Sequence, residues 1–132
     1  MVPADATVPE GGVLTWRIRL SAVADTFIVF ALPLQTPADG KPELSTTDVD
    51  PRWLRDQFFI EPTPSRPLSG EQIALSVDLP PGTREVRALV PTVRDSLVEP
   101  AEHIRLQATI FPNDGGEPIP GPVFTGTVTD TP

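Results

Sequence analysis

The stretch VRDSLVEPAEHIRL, residues 93–106, places Asp95, Glu99 and Glu102 close together, with Arg94 beside the first of them. It joins two runs that alternate like strands, so its acidic residues are expected in or next to a loop. Carboxylates on one loop can be metal ligands, a general acid and base pair, or solvated turn residues. At the level of this loop all three readings stay open.

Enzymatic chemistry finds little support elsewhere in the chain. His103 is the only histidine, so Ser/His/Asp catalysis would have to use it. Its position in an alternating run places it on the outward face of a strand, which favours an ordinary solvated side chain. The sequence has no cysteine, which excludes thiolate catalysis, disulfides and a Cys-ligated zinc site. No glycine-rich phosphate loop is present either. We therefore predict that the protein is not an enzyme and has no catalytic residue.

Charge and composition limit the classes of partner that the protein is expected to bind. The 132 residues carry a net charge of −8, and the sequence pI is about 4.4. Such a surface repels nucleic acid and anionic lipid, so neither is an expected partner. No apolar run reaches the roughly 20 residues of a membrane span, and we expect no membrane insertion. The opening MVPADATVPEGG has no signal-peptide pattern. An apolar fraction of 39% suits one domain over residues 1–132.

Alternation with a period of two dominates the chain and predicts strands. In EHIRLQATIF the even-numbered residues are apolar and expected inside, and Trp16 falls in the inward set of GVLTWRIRLS. In TFIVFALPL, Pro33 is taken to mark the end of the strand. The six runs cover residues 12–21, 26–34, 73–80, 84–93, 102–111 and 123–129. Short strands at this spacing, without a long helix, predict an antiparallel β-sandwich of about seven strands.

One connection, residues 35–71, is long. Its segment DPRWLRDQF predicts a short helix with Asp50 as N-cap, Pro51 in the first position and Trp53 as the residue that anchors it. If the strands run up and down, one pole of the sandwich receives Glu10, this connection, residues 94–102 and Asp130. Most of the acidic residues would therefore meet at that pole.

Three segments carry a resemblance to a known family. EGGVLTWRIRLS, PPGTREVRALVPTVRDSLVEPAEHIRLQATI and GTVTD resemble the Calx-β domain, which has an opening Glu-Gly-Gly, a Pro-Gly turn, an Asp-Asp pair, a Glu-x-x-Glu and a closing acidic cluster. The resemblance spans nearly the whole chain, with residues 35–71 longer and divergent. It implies an immunoglobulin-like sandwich, in agreement with the alternation.

Calcium-binding members of that family hold the metal at one pole, through carboxylates. The resemblance carries this role to the matching positions, where Asp48 is preferred over Asp50 in the long connection and Glu102 is read as structural. The implied calcium ligands are Glu10, Asp48, Asp95, Glu99 and Asp130.

The chain also departs from the family pattern. Arg94 stands at the first position of the Asp-Asp pair, and Thr131 and Pro132 stand where further aspartates would complete the cluster. Calcium needs six to eight oxygens, so these residues could supply one weak site. Alternatively, Arg94 substitutes for the metal by pairing with Asp95 or Glu10, and the pole is metal-free. Both alternatives stay open.

Two roles follow. The first is a structural or adhesion module of a secreted or cell-surface protein, acting with a protein partner or neighbouring domains. The alternative is a small structural protein of a virion or appendage, such as a capsid decoration or tail component. The gene context would separate the two.

Overall fold

The computed structural model describes residues 5–20, 22–37, 41–94, 99–111 and 116–130. Within them the chain forms one α-helix, α1 (Pro51–Phe58), a 3₁₀ turn (Leu68–Glu71) and seven strands. The strands are β1 (Asp5–Pro9), β2 (Val13–Arg19), β3 (Ile28–Gln35), β4 (Ala74–Leu79), β5 (Glu85–Pro91), β6 (Glu102–Phe111) and β7 (Ile119–Thr129). No helix in this part of the chain is long and apolar enough to cross a membrane.

The strands form two sheets, as predicted for a sandwich. One has five strands in the order β1-β7-β6-β3-β4, and the other pairs β2 with β5. All pairs are antiparallel except β1 with β7, which run parallel, so the larger sheet is mixed. The immunoglobulin-like β-sandwich predicted from the sequence is confirmed, and the parallel pairing of β1 with β7 is the departure from the antiparallel arrangement predicted with it.

The core follows from the alternation of each strand. In β2, Leu14, Trp16 and Ile18 are buried and the residues between them are exposed. In β6 the inward residues are Ile104, Leu106 and Ala108. Successive side chains of a strand point to opposite faces, so an alternating sequence packs one apolar face against the other sheet.

Trp16 also fixes the distance between the two sheets. Its indole N–H donates a hydrogen bond to the carbonyl of Thr125 at 2.8 Å, as a buried indole requires. A Cβ at Gly126 would lie 2.8 Å from both the Trp16 ring and Ile104 Cγ2. Glycine at this position therefore lets β7 approach the core closely.

Three strands differ from the prediction. Pro33 does not end β3, which continues to Gln35. Proline keeps the extended backbone but lacks an N–H, so the pairing of β3 with β6 is interrupted between Ala31 and Leu34 while the pairing with β4 continues. Strand β7 begins at Ile119 rather than at residue 123, because Pro120 is accommodated opposite Thr109 beside an irregularity in the ladder. Strand β1 was not among the six predicted runs.

The long connection is held down by α1. The Asp50 side chain accepts a hydrogen bond from the Arg52 N–H at 2.8 Å, which confirms the predicted cap, and Pro51 is the first helical residue. Trp53 is half-buried and meets Phe58 edge to face, with ring centroids 4.9 Å apart. The deeper anchor is Leu54, which is fully buried and which the sequence did not single out.

Candidate metal centre

A tight turn after β1 presents Glu10 at one pole of the sandwich. Its N–H donates to the Thr129 carbonyl at 3.0 Å, which fastens the turn to the end of β7. Gly11 follows with φ +87°, a left-handed conformation that glycine adopts without strain. The Gly11 N–H donates to the hydroxyl of Thr92 at 3.1 Å, and this hydroxyl donates to the Gly12 carbonyl at 2.6 Å. These hydrogen bonds fix the turn to the end of β7 and to Thr92, directly after β5.

Asp48 reaches the same pole from the long connection. Its Oδ2 accepts two hydrogen bonds from Ser45, one from the N–H and one from the hydroxyl, each at 2.7 Å. Its backbone carbonyl accepts from the Val93 N–H at 3.0 Å, next to a bridge between Val49 and Thr92. The competing candidate, Asp50, is committed to capping α1. The structure therefore favours Asp48 over Asp50 at the pole.

Three glutamates form the centre of the pole. Glu10, Glu99 and Glu102 each offer a carboxylate oxygen, and these atoms lie within 4.8 Å of one another. Glu99 precedes β6, and Glu102 is its first residue. All three side chains are half-buried. This spacing is short enough for one cation to contact all three carboxylates.

Asp130, directly after β7, completes the set. Its Oδ2 accepts a hydrogen bond from the Glu99 N–H at 3.2 Å, which ties the end of β7 to the segment before β6. Its Oδ1 is buried and has no hydrogen-bond partner among the described residues. A buried carboxylate oxygen without a partner is costly, so it calls for a donor or a cation. We call Glu10, Asp48, Glu99, Glu102 and Asp130 the acidic cluster.

The charges of the acidic cluster are not all present at neutral pH. Burial, followed by hydrogen bonds and charge repulsion from Asp48 and Glu99, raises the pKa of Glu102 to about 9. Without a cation, Glu102 therefore holds a proton that it can donate to a neighbouring carboxylate. Protonation is one way to relieve repulsion among converging carboxylates, and a bound cation is another.

Two residues of the sequence prediction have a different status. Asp95 lies outside the described residues. Arg94 is exposed, and the ion pairs between described residues are Arg19–Glu85, Arg55–Glu61 and Arg66–Glu71. The substitution of Arg94 for a metal stays a prediction.

Glu102 was read from the sequence as structural, yet it lies at the centre of the acidic cluster. A signal for its position was available. Glu102 has the same parity as Ile104, Leu106 and Ala108, which all face the core, and it pairs across the sheet with the buried Val128. A carboxylate at the end of an inward-facing row is less hydrated than one in a loop, and such residues are candidates for functional sites.

The donor set suits calcium. Every side chain of the acidic cluster offers oxygen, which calcium prefers, and none offers nitrogen or sulfur. The Oδ1 of Asp130, which lacks a hydrogen-bond partner in the described part of the chain, and the raised pKa of Glu102 both mark places where a positive charge would be stabilising. The residues present therefore fit a calcium ion.

No protein-family model and no curated protein sequence matches the chain. Solved structures do. The apo-form Calx CBD1 domain is 17% identical with a TM-score of 0.53, over 97% of this chain and 91% of that chain. The calcium binding domain CBD12 of CALX1.1 is 17% identical with a TM-score of 0.56, over 96% of this chain and 41% of that one.

CBD12 from CALX1.2 gives a similar result, with 16% identity and a TM-score of 0.50 over 97% of this chain and 42% of that one. The fold is that of a Calx-β-like sandwich. At these identities the likeness concerns the fold, and it confirms the resemblance seen in the sequence at that level.

Proposed function

We propose that this chain is a non-enzymatic Calx-β-like domain, spanning residues 1–132, which binds one calcium ion weakly at the acidic cluster. The observation that carries this proposal is the approach of Glu10, Glu99 and Glu102, whose oxygens lie within 4.8 Å of one another. Glu99 and Glu102 share one segment, whereas Glu10 comes from the turn after β1, so local sequence alone does not account for their convergence.

A cation would relieve two unfavourable features of the acidic cluster at once. It would replace the proton that Glu102 holds because of its burial and its acidic neighbours. The Asp130 side chain, whose Oδ2 accepts from the Glu99 N–H, lies beside these glutamates, and we expect its buried Oδ1 to contact the same ion. Calcium tolerates irregular coordination by oxygen, whereas magnesium demands a nearly ideal octahedron, so a cluster assembled from several loops favours calcium.

The expected affinity is low. Calcium takes six to eight oxygens, and one oxygen of Asp48 is already engaged by two hydrogen bonds from Ser45. Thr131 and Pro132 replace potential carboxylates in the sequence, and Arg94 adds a positive charge nearby. Asp95 is the further ligand expected from the sequence.

The proposed role of the ion is mechanical. Glu10 follows β1, Glu99 and Glu102 precede and open β6, and Asp130 follows β7, so one ion would cross-link the ends of three strands. A stiffened pole suits a structural or adhesion module of a secreted or surface protein that transmits force to a protein partner or a neighbouring domain.

The test is thermal unfolding of the protein in millimolar calcium and in chelator. Calcium at a hundredfold excess over its dissociation constant should stabilise the fold by about 2.7 kcal/mol. Glu102→Gln should abolish most of this response while the protein stays folded, since the amide replaces a carboxyl group that is protonated without metal.

Glu117→Gln is the matched control, because Glu117 lies just before β7, at the opposite end of that strand from Asp130. It should respond to calcium like the unaltered protein. Equal melting temperatures of the unaltered protein in calcium and in chelator would refute the calcium site.

A further inference from the structure

The outer face of the larger sheet holds a groove that the proposed calcium site does not use. It has a volume of about 540 Å³ and lies over β1, β7 and β6, next to the segment that follows β3. Two rows of paired residues form its floor. One row contains Arg105, Thr125 and Asp5, and the other contains His103, Thr127 and Thr7. We call it the cationic groove.

Three basic side chains line the cationic groove, namely Lys41, His103 and Arg105. Lys41 is brought there because the chain beyond β3 continues alongside β6. The His103 N–H donates to the Pro42 carbonyl at 2.8 Å, and the Leu44 N–H donates to the His103 carbonyl at 2.9 Å. Burial, followed by repulsion from Lys41, lowers the pKa of His103, which favours its neutral form. The positive charge of the groove therefore comes from Lys41 and Arg105, in a protein that is acidic overall.

No carboxylate of the described residues neutralises Arg105. This side chain is half-buried and belongs to none of the ion pairs between described residues, and its buried Nε has no hydrogen-bond partner among those residues. Asp5 lies in the same row of the groove and accepts a hydrogen bond from the Thr125 hydroxyl. In the segment that bridges to His103, both oxygens of Glu43 accept from Ser69, at 2.6 and 2.9 Å. A half-buried guanidinium without a counter-ion is expected to attract an anion.

We propose that the cationic groove binds a small molecule through a phosphate or sulfate group, held by Lys41 and Arg105 and completed by His103 and Thr127. A tetrahedral oxyanion offers more acceptor oxygens than a carboxylate, which matches a site with an ammonium, a guanidinium, an imidazole and hydroxyl groups. The volume is in the range of small-molecule sites. The net charge of −8 opposes long anionic polymers, so a single oxyanion group is the better fit.

The single histidine makes a direct test possible, because the ring resonances of His103 are unambiguous in a proton NMR spectrum. The full chain, in chelator, is titrated with inorganic phosphate, inorganic sulfate or acetate at fixed pH and ionic strength. Phosphate or sulfate should shift the resonances saturably, and the tighter of the two identifies the ester class. Acetate should bind about tenfold more weakly, since it offers fewer charge-assisted hydrogen bonds.

Lys41→Gln, at an exposed position, should weaken binding of the preferred ion about tenfold without a change in melting temperature. Arg105→Gln should have the same effect on binding, and its melting temperature reports whether the fold is retained. Arg52→Gln removes an exposed positive charge from α1 and should leave binding unchanged.

A resonance shift that ionic strength alone reproduces would overturn the proposal. The proposal would also be overturned if Lys41→Gln bound phosphate and sulfate as tightly as the unaltered protein does. Because calcium is chelated throughout, neither result bears on the acidic cluster.

Discussion

Strand β6 contributes to two regions of opposite charge, and the contrast arises from its alternation. Its inward side begins with Glu102, at the centre of the acidic cluster, and continues with apolar core residues. Its outward side presents His103 and Arg105 to the cationic groove. Consecutive residues of β6 therefore belong to an anionic site on one face of the sheet and to a cationic site on the other.

In both regions the repulsion between like charges is relieved by a shift in the pKa of one group, and the two shifts have opposite directions. Burial is the largest cause of both shifts in pKa, upward for Glu102 and downward for His103, and a neighbouring like charge adds to each. At neutral pH each group is thereby biased toward its uncharged form. Where a structure brings like charges together and suppresses one of them, a ligand of the opposite charge is the natural complement.

The largest effect should come from the core that separates the two faces. Leu106 is fully buried in β6, so Leu106→Ala should lower the free energy of unfolding by about 2–5 kcal/mol in urea denaturation. Arg105→Ala, one residue away on the outward face, should change it far less. Equal losses at the two positions would mean that the faces of β6 are not separated as described.

Gly126 tests the close packing of β7, the strand that ends at the acidic cluster and also lines the cationic groove. Gly126→Ala should destabilise the fold by about 1–3 kcal/mol, because the added Cβ would meet Trp16 and Ile104. Gly70→Ala is the control, since a Cβ there meets nothing within 4 Å. A neutral effect at Gly126, measured by the same urea titration, would contradict the close approach.

The raised pKa of Glu102 predicts how stability depends on pH without calcium. Between the ordinary pKa of a glutamate, near 4.5, and about 9, the folded protein binds a proton that the unfolded chain has lost. The contribution of Glu102 is therefore fully present below pH 4.5 and is lost as the pH rises toward 9. Urea unfolding in chelator should show this fall in the unaltered protein and in Glu117→Gln, and a smaller fall in Glu102→Gln. An unchanged slope in Glu102→Gln would show that the proton is not held there.

The smallest effect is expected at Arg94, whose exposed position limits its influence. Arg94→Asp should destabilise the calcium-free protein by no more than about 1 kcal/mol and should strengthen calcium binding roughly fivefold, because a positive charge near the acidic cluster becomes negative. In calorimetric titration, the calcium affinity of Arg94→Gln should lie between those of the unaltered protein and Arg94→Asp. A large loss of stability in both variants, with no gain in calcium affinity, would instead support Arg94 as the substitute for a metal.

Much of the sandwich could be predicted because burial follows local alternation. The inward residues of β2 and β6 are buried as expected, and the cap of α1 follows from Asp50 and Pro51. Strand β1 and the first residues of β7 were missed because they hold prolines and depend on each other or on β6 for their hydrogen bonds. The prediction that Pro33 ends β3 was wrong because the pairing with β4 holds the strand extended past the proline.

For the candidate site, the sequence by itself determined which carboxylates exist and at which strand ends they stand. Their grouping was decided only by the tertiary structure. Glu102 meets Asp48 because the long connection returns to β5 through the bridge between Val49 and Thr92. Glu10 comes near the other glutamates because β1 pairs in parallel with β7. Alternation specifies which face a side chain occupies, but the register between distant strands and the path of a long connection depend on contacts between residues far apart in the chain, which local preferences do not encode.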